Sequence, residues 1–217
     1  MNLRILGKAS SINVRKVLWT CHELGLSIAR EDWGSGFQPT ETPAFRALNP
    51  NAMVPVLVEP SEPARGGEAD FVLWESNTIC RYLTAREGRH DLLGPTLHER
   101  ARVEQWMDWQ AGELNNSWRY VFMARVRLSL AHTDTAALQA GLDAWSRHMH
   151  ILDAQLARTG AFVTGGNFTL ADVVLGLSAQ RWFMTPMDRP ELPAVRDWFA
   201  RLALREGFRL HGCNGLP

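Results

Sequence analysis

Over about the first 85 residues, short apolar runs alternate with segments in which apolar residues recur at helical spacing. In Asn13–Leu24, for example, Val14, Val17, Cys21 and Leu24 lie three or four positions apart, which predicts a helix. The predicted strands are Leu3–Gly7, Ser27–Trp33, Val54–Val58 and Phe71–Trp74, the second predicted helix is Ser76–Arg86, and Gly34–Pro43 and Glu59–Asp70 are a predicted loop and turn. The order βαβ, a loop with room for a short helix, then ββα predicts a small mixed sheet with helices on its faces.

Beyond a predicted linker at Gly88–Pro95, strand signals disappear and only helical periodicity remains. The predicted helices of this second half are Leu97–Leu130, Ala136–Leu156, Leu170–Met184 and Leu192–Leu204. We therefore expect an α/β N-terminal domain over residues 1–86 and an all-α C-terminal domain over residues 96–217.

Composition narrows the possible classes of protein. The 217 residues are 46% hydrophobic and 21% charged, with 23 basic and 23 acidic side chains and a formal net charge of zero. These globular proportions disfavour long disorder, and the neutral balance disfavours a nucleic-acid binder. No apolar run approaches the ~20 residues that span a bilayer, and Met1–Gly7 does not read as a secretory signal. We expect a soluble cytoplasmic protein with neither a nucleic-acid nor a membrane partner.

Cysteine usage gives no sign of a metal centre or of a dithiol. The three cysteines, Cys21, Cys80 and Cys213, lie far apart in the sequence, and none belongs to a CxxC pair. Cys21 falls on the apolar stripe of the first predicted helix, where a structural role in the core is expected. The sequence therefore predicts no metal site.

The first candidate for chemistry is the pair Ser10 and Ser11, where the first strand gives way to the first helix. A serine at this point is a good N-cap. Alternatively, its hydroxyl and the free N–H groups of the helix could hold an anion such as a thiolate. A hydroxyl that donates to sulfur favours the charged form and lowers the thiol pKa. Asn13 is a further possible donor.

Two other segments combine polar groups with unusual backbone chemistry. Pro55, within the third predicted strand, is either part of an edge strand or a cis proline that leaves Val54 free to pair with an extended ligand. Glu75 and Ser76 stand at the start of the next helix, where they either cap it or hold the ammonium and the carboxylate of an α-amino acid. Farther along, Thr169 and Asp172 have capping-box spacing, which indicates a structural role.

Together, these motifs resemble the glutathione S-transferase family over nearly the whole chain. The matching segments are Ser11-Ile-Asn-Val-Arg-Lys-Val, Asn49-Pro-Asn-x-x-Val-Pro, Trp74-Glu-Ser-Asn and Thr169-Leu-Ala-Asp. The set looks most like bacterial theta-related, serine-type members. The resemblance implies a thioredoxin-like N-terminal domain followed by an all-α domain.

The resemblance also implies roles for individual residues. Ser11 would activate the thiol of glutathione, with Ser10 as the alternative, and Val54 would bind the cysteinyl main chain beside a cis Pro55. Glu75 and Ser76 would hold the γ-glutamyl group. Many relatives have Lys or Gln where this chain has Met53, so the anchor of the glycine carboxylate is open, with Gln38 as the candidate. The electrophile site would lie between the domains, with the candidates Trp118, Arg119, Phe122 and Met123.

The implied activity is conjugation of glutathione, as co-substrate, to a small electrophile by a homodimeric detoxification enzyme. A peroxidase, isomerase or disulfide reductase on the same site is an alternative, because the family includes such activities. A non-catalytic binding module of this fold is another alternative.

Overall fold

The computed structural model describes residues 3–61, 69–215 and 217, and the chain divides after Arg89 into two compact units. This division falls within the expected linker, Gly88–Pro95. None of the helices in these described ranges has the length and apolar character needed to span a bilayer.

The N-terminal unit is built on a four-stranded mixed sheet. Its strands are β1 (Leu3–Leu6), β2 (Ile28–Glu31), β3 (Val56–Glu59) and β4 (Phe71–Trp74), in the order β2-β1-β3-β4. β1 pairs parallel with β2 and antiparallel with β3, and β3 pairs antiparallel with β4. Its helices are α1 (Ile12–Glu23), α2 (Pro43–Leu48) and α3 (Ser76–Arg86). This is the expected thioredoxin-like arrangement.

Side chains that alternate along the strands give the sheet two buried faces. Leu6, Val56 and Val58 share one face and form a buried cluster with Phe45 of α2. Leu57, their neighbour along the strand, is also fully buried and points to the opposite face. Burial on both faces explains why β3 reads as a continuous apolar run.

The main correction in this unit concerns β3. The sequence predicted a strand over Val54–Val58 with Pro55 inside it, whereas the strand begins at Val56, one residue after the proline. β3 lies between β1 and β4, so the alternative of an edge strand is wrong. A proline has no N–H to donate, and placing it before the ladder costs this central strand no hydrogen bond. The predicted turn Glu59–Asp70 lies largely outside the described residues.

The second unit is all-α in its described residues, as expected. Its elements are α4 (His90–Leu93), α5 (Leu97–Trp109), a π-helical turn (Gln110–Leu114), α6 (Asn115–Arg125), α7 (Thr135–Thr159), α8 (Leu170–Met184), α9 (Pro193–Leu202) and α10 (Glu206–His211). α8 is the central helix, because every residue from Leu170 to Trp182 is buried. The predicted capping box is present at its start.

Three features of this unit differ from the prediction. The linker contains α4, and a helix after Leu204, α10, was not predicted. The helix predicted over Leu97–Leu130 ends at Arg125 and is interrupted by the π-helical turn. The fully buried Gln110 opens that turn, and its side-chain amide donates to Ser178 of α8 at 2.9 Å. A long-range bond of this kind leaves no periodic signal in the sequence.

Candidate active site

Four loops meet at one end of the sheet. Because Leu6 pairs with Glu31 and with Val56, and Val56 pairs with Trp74, the ends of β1, β2 and β4 lie beside the start of β3. We call the residues that follow or precede these ends the loop edge; they are 8–11, 33–38, 53–55 and 75–76. The loop edge contains every residue of the N-terminal unit that the sequence placed in the glutathione site, except Asn13, which lies two residues farther into α1.

Ser11 immediately precedes α1, in the position of an N-cap. Its backbone is extended, with φ −77° and ψ 125°, and its carbonyl accepts from Arg15 N at 2.9 Å. No N–H of the first helical turn bonds to its side chain. The capping role that the sequence allowed for this hydroxyl is therefore not used, and the side chain is half-buried at the positive end of the helix.

Ser10 and Asn13, the other two polar candidates here, are half-buried on either side of Ser11. Gly7, directly after β1, allows the main chain to pass close to Val14 of α1. Its φ is +154°, and a Cβ at this position would lie 2.5 Å from Cγ2 of Val14. Only glycine accommodates both this conformation and this contact.

Val54 and Pro55 stand at the start of β3. The peptide bond between them is cis, as the family resemblance implied. The pairing of β1 with β3 begins at Val56, so the main chain of Val54 is outside the ladder. Pro55 is buried, whereas Met53 is 60% exposed. An apolar thioether at that exposed position offers no charge to a ligand.

Glu75 and Ser76 mark the passage from β4 into α3. Glu75 has φ +72° and ψ 109°, and no N–H of the helix bonds to its exposed side chain. A non-glycine residue in this region of backbone space is strained, which is common at ligand sites. Ser76, the first residue of α3, is buried and lies beside the free N–H groups of the first turn.

The loop after β2 completes this end of the sheet. Trp33 forms an isolated bridge with Gln38, and Gly34 N donates to Gln38 O at 2.8 Å, so the loop folds back on itself. Gln38 is exposed. Lys8 N donates to Trp33 O at 3.1 Å, and Lys8 Nζ donates to Ser35 O at 2.9 Å. Lys8, one of only two lysines in the chain, was not predicted as a site residue.

The electrophile candidates all lie on α6 in the helical unit. Trp118 and Phe122 are buried, at 6% and 5% exposure, and their rings meet edge to face with centroids 5.6 Å apart. The guanidinium of Arg181 lies over both rings, at 4.3 Å and 4.0 Å from the centroids. Met123 is half-buried and Arg119 is exposed. Arg181 belongs to no recognisable motif, so this contact could not be predicted from the sequence.

Cysteine and metal chemistry find little support in the described part of the chain. Burial raises the pKa of the Cys21 thiol to about 12 and that of Cys80 to about 11. A thiol nucleophile needs a lowered pKa, so these two cysteines are structural. No group of three or more His, Cys, Asp or Glu side chains among the described residues could hold a metal ion.

Comparison with protein families identifies this arrangement. Residues 10–86 match the model of the glutathione S-transferase N-terminal domain, and residues 135–201 match that of the C-terminal domain. The chain is 33% identical over 207 residues to glutathione S-transferase GstB of Escherichia coli strain K12. The aligned region covers 95% of this chain and 96% of that protein. The chain belongs to the glutathione S-transferase family.

Solved structures agree with this family assignment. The chain matches a theta class glutathione S-transferase from Xanthomonas axonopodis pv. citri, solved with glutathione bound, with a TM-score of 0.87 and 36% identity over 99% of both chains. This confirms the glutathione S-transferase fold and the likeness to theta-class members. The disulfide-bond oxidoreductase YfcG of Escherichia coli strain K12 is 28% identical over 187 residues, or 84% of this chain and 81% of that protein.

Proposed function

We propose that this protein is a serine-type glutathione transferase. In this proposal the thioredoxin-like domain, residues 1–86, binds glutathione at the loop edge. The helical domain, residues 96–217, supplies the site for a small electrophile. The main support for this proposal is that Ser11 lies at the N-terminus of α1 and that its hydroxyl makes no capping hydrogen bond.

The remaining parts of the glutathione site follow from the same end of the sheet. Val54 offers a main chain that is outside the ladder to the cysteinyl residue. Ser76 and the free N–H groups of α3 receive the γ-glutamyl carboxylate, and Glu75 receives its ammonium group. Ser10 is retained as the alternative to Ser11, with Asn13 as a second donor to sulfur.

The proposed chemistry is nucleophilic substitution by the glutathione thiolate. Lowering the thiol pKa from roughly 9 to 6–7 takes about 3–4 kcal/mol of differential stabilisation. A hydrogen bond to a charged group supplies about 1.5–3 kcal/mol, and a helix N-terminus supplies up to ~2 kcal/mol. The thiol proton passes to solvent, the sulfur forms a bond to the electrophilic carbon, and the leaving group departs with its electron pair.

The electrophile site is proposed on α6, with Trp118, Phe122 and Met123 as apolar contacts and Arg119 as an attractor of anionic electrophiles. The exposed position of Arg119 suits a steering role. We further propose that the protein acts as a cytoplasmic homodimer, as the family resemblance implies.

Calorimetric titration of glutathione tests the central step. At pH 7, in two buffers of different ionisation enthalpy, we expect binding with release of a large fraction of one proton. S-methylglutathione is the matched control, because it keeps the peptide and lacks the ionisable thiol. It is expected to bind without proton release.

Two results would contradict the proposal. Binding of glutathione without proton release would retain the site and reject activation of the thiol. No binding at millimolar glutathione would reject the transferase and favour a non-catalytic binding module of the same fold.

A further inference from the structure

The order of the strands determines which way glutathione lies along the loop edge. The γ-glutamyl position, Ser76, follows β4, and the cysteinyl position, Val54, precedes β3. Since the sheet order is β2-β1-β3-β4, a peptide that runs from Ser76 to Val54 continues toward the ends of β1 and then β2. Neighbouring strands lie ~4.8 Å apart and an extended residue spans ~3.5 Å. The glycine carboxylate therefore lies near the loop that follows β1, which contacts the loop that follows β2.

Lys8 lies where these two loops touch. Its Nζ donates to Ser35 O at 2.9 Å, which ties the loop after β1 to the loop after β2. A Cβ built on Gly34 would lie 4.0 Å from Cδ of Lys8 and 4.0 Å from Cγ2 of Val54. The aliphatic part of Lys8 and the side chain of Val54 thus both approach Gly34. This places the ammonium group of Lys8 close to Val54, the residue that binds the cysteinyl part of glutathione in the proposed function.

The charge of Lys8 is available to a ligand. The ammonium group has three donors, and its partner Ser35 O is a neutral carbonyl. Among the described residues Lys8 has no carboxylate partner. Two other cations of the same unit differ in this respect, because Arg4 pairs with Glu31 at 2.7 Å and Arg46 pairs with Glu41.

The other candidates for this carboxylate carry no charge. Met53, at the position where many family members have Lys or Gln, is an exposed thioether. Gln38 could donate a neutral hydrogen bond from its side chain. A hydrogen bond from a charged donor to a carboxylate is roughly twice as strong as a neutral one.

We propose that Lys8 binds the glycine carboxylate of glutathione and replaces the anchor that Met53 cannot provide. This inference rests on the proposed function, because it assumes that glutathione is the ligand. It makes Lys8 a binding residue that lowers KM for glutathione and leaves the activation of the thiol to the serine.

A comparison of two ligands tests the assignment. Glutathione carries the glycine carboxylate, whereas glutathione glycine monoethyl ester carries a neutral ester at the same place. We expect the wild-type protein to bind glutathione about 10-fold more tightly than the ester. In Lys8→Met this preference should fall to about 2-fold or less through loss of affinity for glutathione, with the affinity for the ester nearly unchanged. KM for glutathione should rise about 5- to 10-fold while kcat changes by less than 2-fold.

Two further variants separate charge from structure. Lys8→Arg keeps the positive charge and should restore most of the preference for glutathione. Arg46→Met removes another exposed cation of the same unit and should leave the affinities for both ligands unchanged.

Each remaining outcome overturns the assignment. If Lys8→Met keeps the wild-type preference, Lys8 does not meet the carboxylate. If Lys8→Met weakens both ligands equally, the lysine acts by holding the loop at Ser35. If the wild-type protein binds neither ligand, the proposed function fails together with this inference, whereas wild-type binding with an unaltered preference in Lys8→Met rejects this inference alone.

Discussion

The indole of Trp198 donates its Nε1–H to Oδ1 of Asp172 at 2.9 Å, and both side chains are buried. Trp198 lies on α9 and Asp172 lies in the first turn of α8, so one hydrogen bond ties the two helices. The same carboxylate also accepts from Thr169 N, Thr169 Oγ1 and Val163 N. A residue predicted as part of a local capping box is thus the centre of a buried network.

Trp198→Phe removes the donor to Asp172 and keeps an aromatic ring in the core. We expect the free energy of unfolding at pH 7 to fall by about 2 kcal/mol, because a hydrogen bond to a charged group is lost. Urea denaturation provides the measurement. The control is Trp106→Phe, a half-buried tryptophan of the same unit, which should cost clearly less. Equal losses in the two variants would mean that packing rather than the hydrogen bond matters.

The pH dependence of stability follows from Asp172. Burial raises its pKa to about 6 from an ordinary value of 3.8, against the opposing effect of the hydrogen bonds from Val163, Thr169 and Trp198. The cost of ionising this buried acid is absent below the unfolded pKa and fully present above the folded one. As pH falls from 7.5 to 4, the stability of the wild type relative to Asp172→Asn should therefore rise by about 2 kcal/mol. Urea unfolding of both proteins at several pH values provides the test, and a constant difference would contradict it.

Ser11→Ala separates catalysis from capping. Loss of one hydrogen bond to the thiolate should raise the pKa of bound glutathione by about 1–2 units and lower kcat/KM at pH 6.5 by about 10- to 100-fold. The free energy of unfolding should change by less than about 0.5 kcal/mol, because the hydroxyl makes no capping bond, whereas a lost cap costs ~1 kcal/mol. The pH profile of kcat/KM with a halonitroarene is the measurement. Ser10→Ala is the matched control, and if only that variant loses activity, the roles of the two serines are reversed.

Arg189 closes the C-terminal end of α8. Its Nε donates to Trp182 O at 2.8 Å, and its Nη2 donates to Phe183 O at 2.9 Å and to Thr185 O. Arg189→Met should lower the free energy of unfolding by about 2 kcal/mol, since it removes a cation from the negative end of the helix and leaves carbonyls unpaired. Arg196→Met removes an exposed arginine from α9 and should change it by less than ~0.5 kcal/mol. Similar effects in both variants, measured by urea denaturation, would reject the capping role.

Gly7→Ala tests the close approach of the first loop to α1. The new methyl group would meet Val14 at 2.5 Å, in a backbone conformation unsuited to alanine. We expect a loss of about 2–3 kcal/mol in the free energy of unfolding. Val14→Ala in the same chain should recover part of that loss by relieving the contact. Gly166→Ala, where nothing lies within 4 Å and φ is not positive, is the neutral control.

Much of the local structure was predictable from local signals. β4 and α3 were predicted with the bounds that the structure has, because an apolar run ends at Trp74 and a helical repeat begins at Ser76. The capping box at Thr169 was also predicted from a short motif, whereas the cis peptide before Pro55 was implied by the family resemblance. α10 was missed, because it follows α9 closely and is only six residues long.

The sequence by itself determined the order of the four strands and of the longer helices, the two-part organisation of the chain and the polar residues of the loop edge. Apolar periodicity and turn residues act over a few positions, so the elements that they specify can be recognised from the sequence alone. Only the tertiary structure decided that β3 lies in the centre of the sheet, that Lys8 contacts the loop of Ser35, and that Trp198 donates to Asp172. Each of these contacts joins residues distant in the chain, and which distant groups meet depends on strand order and helix packing. No pattern within a single segment carries that information.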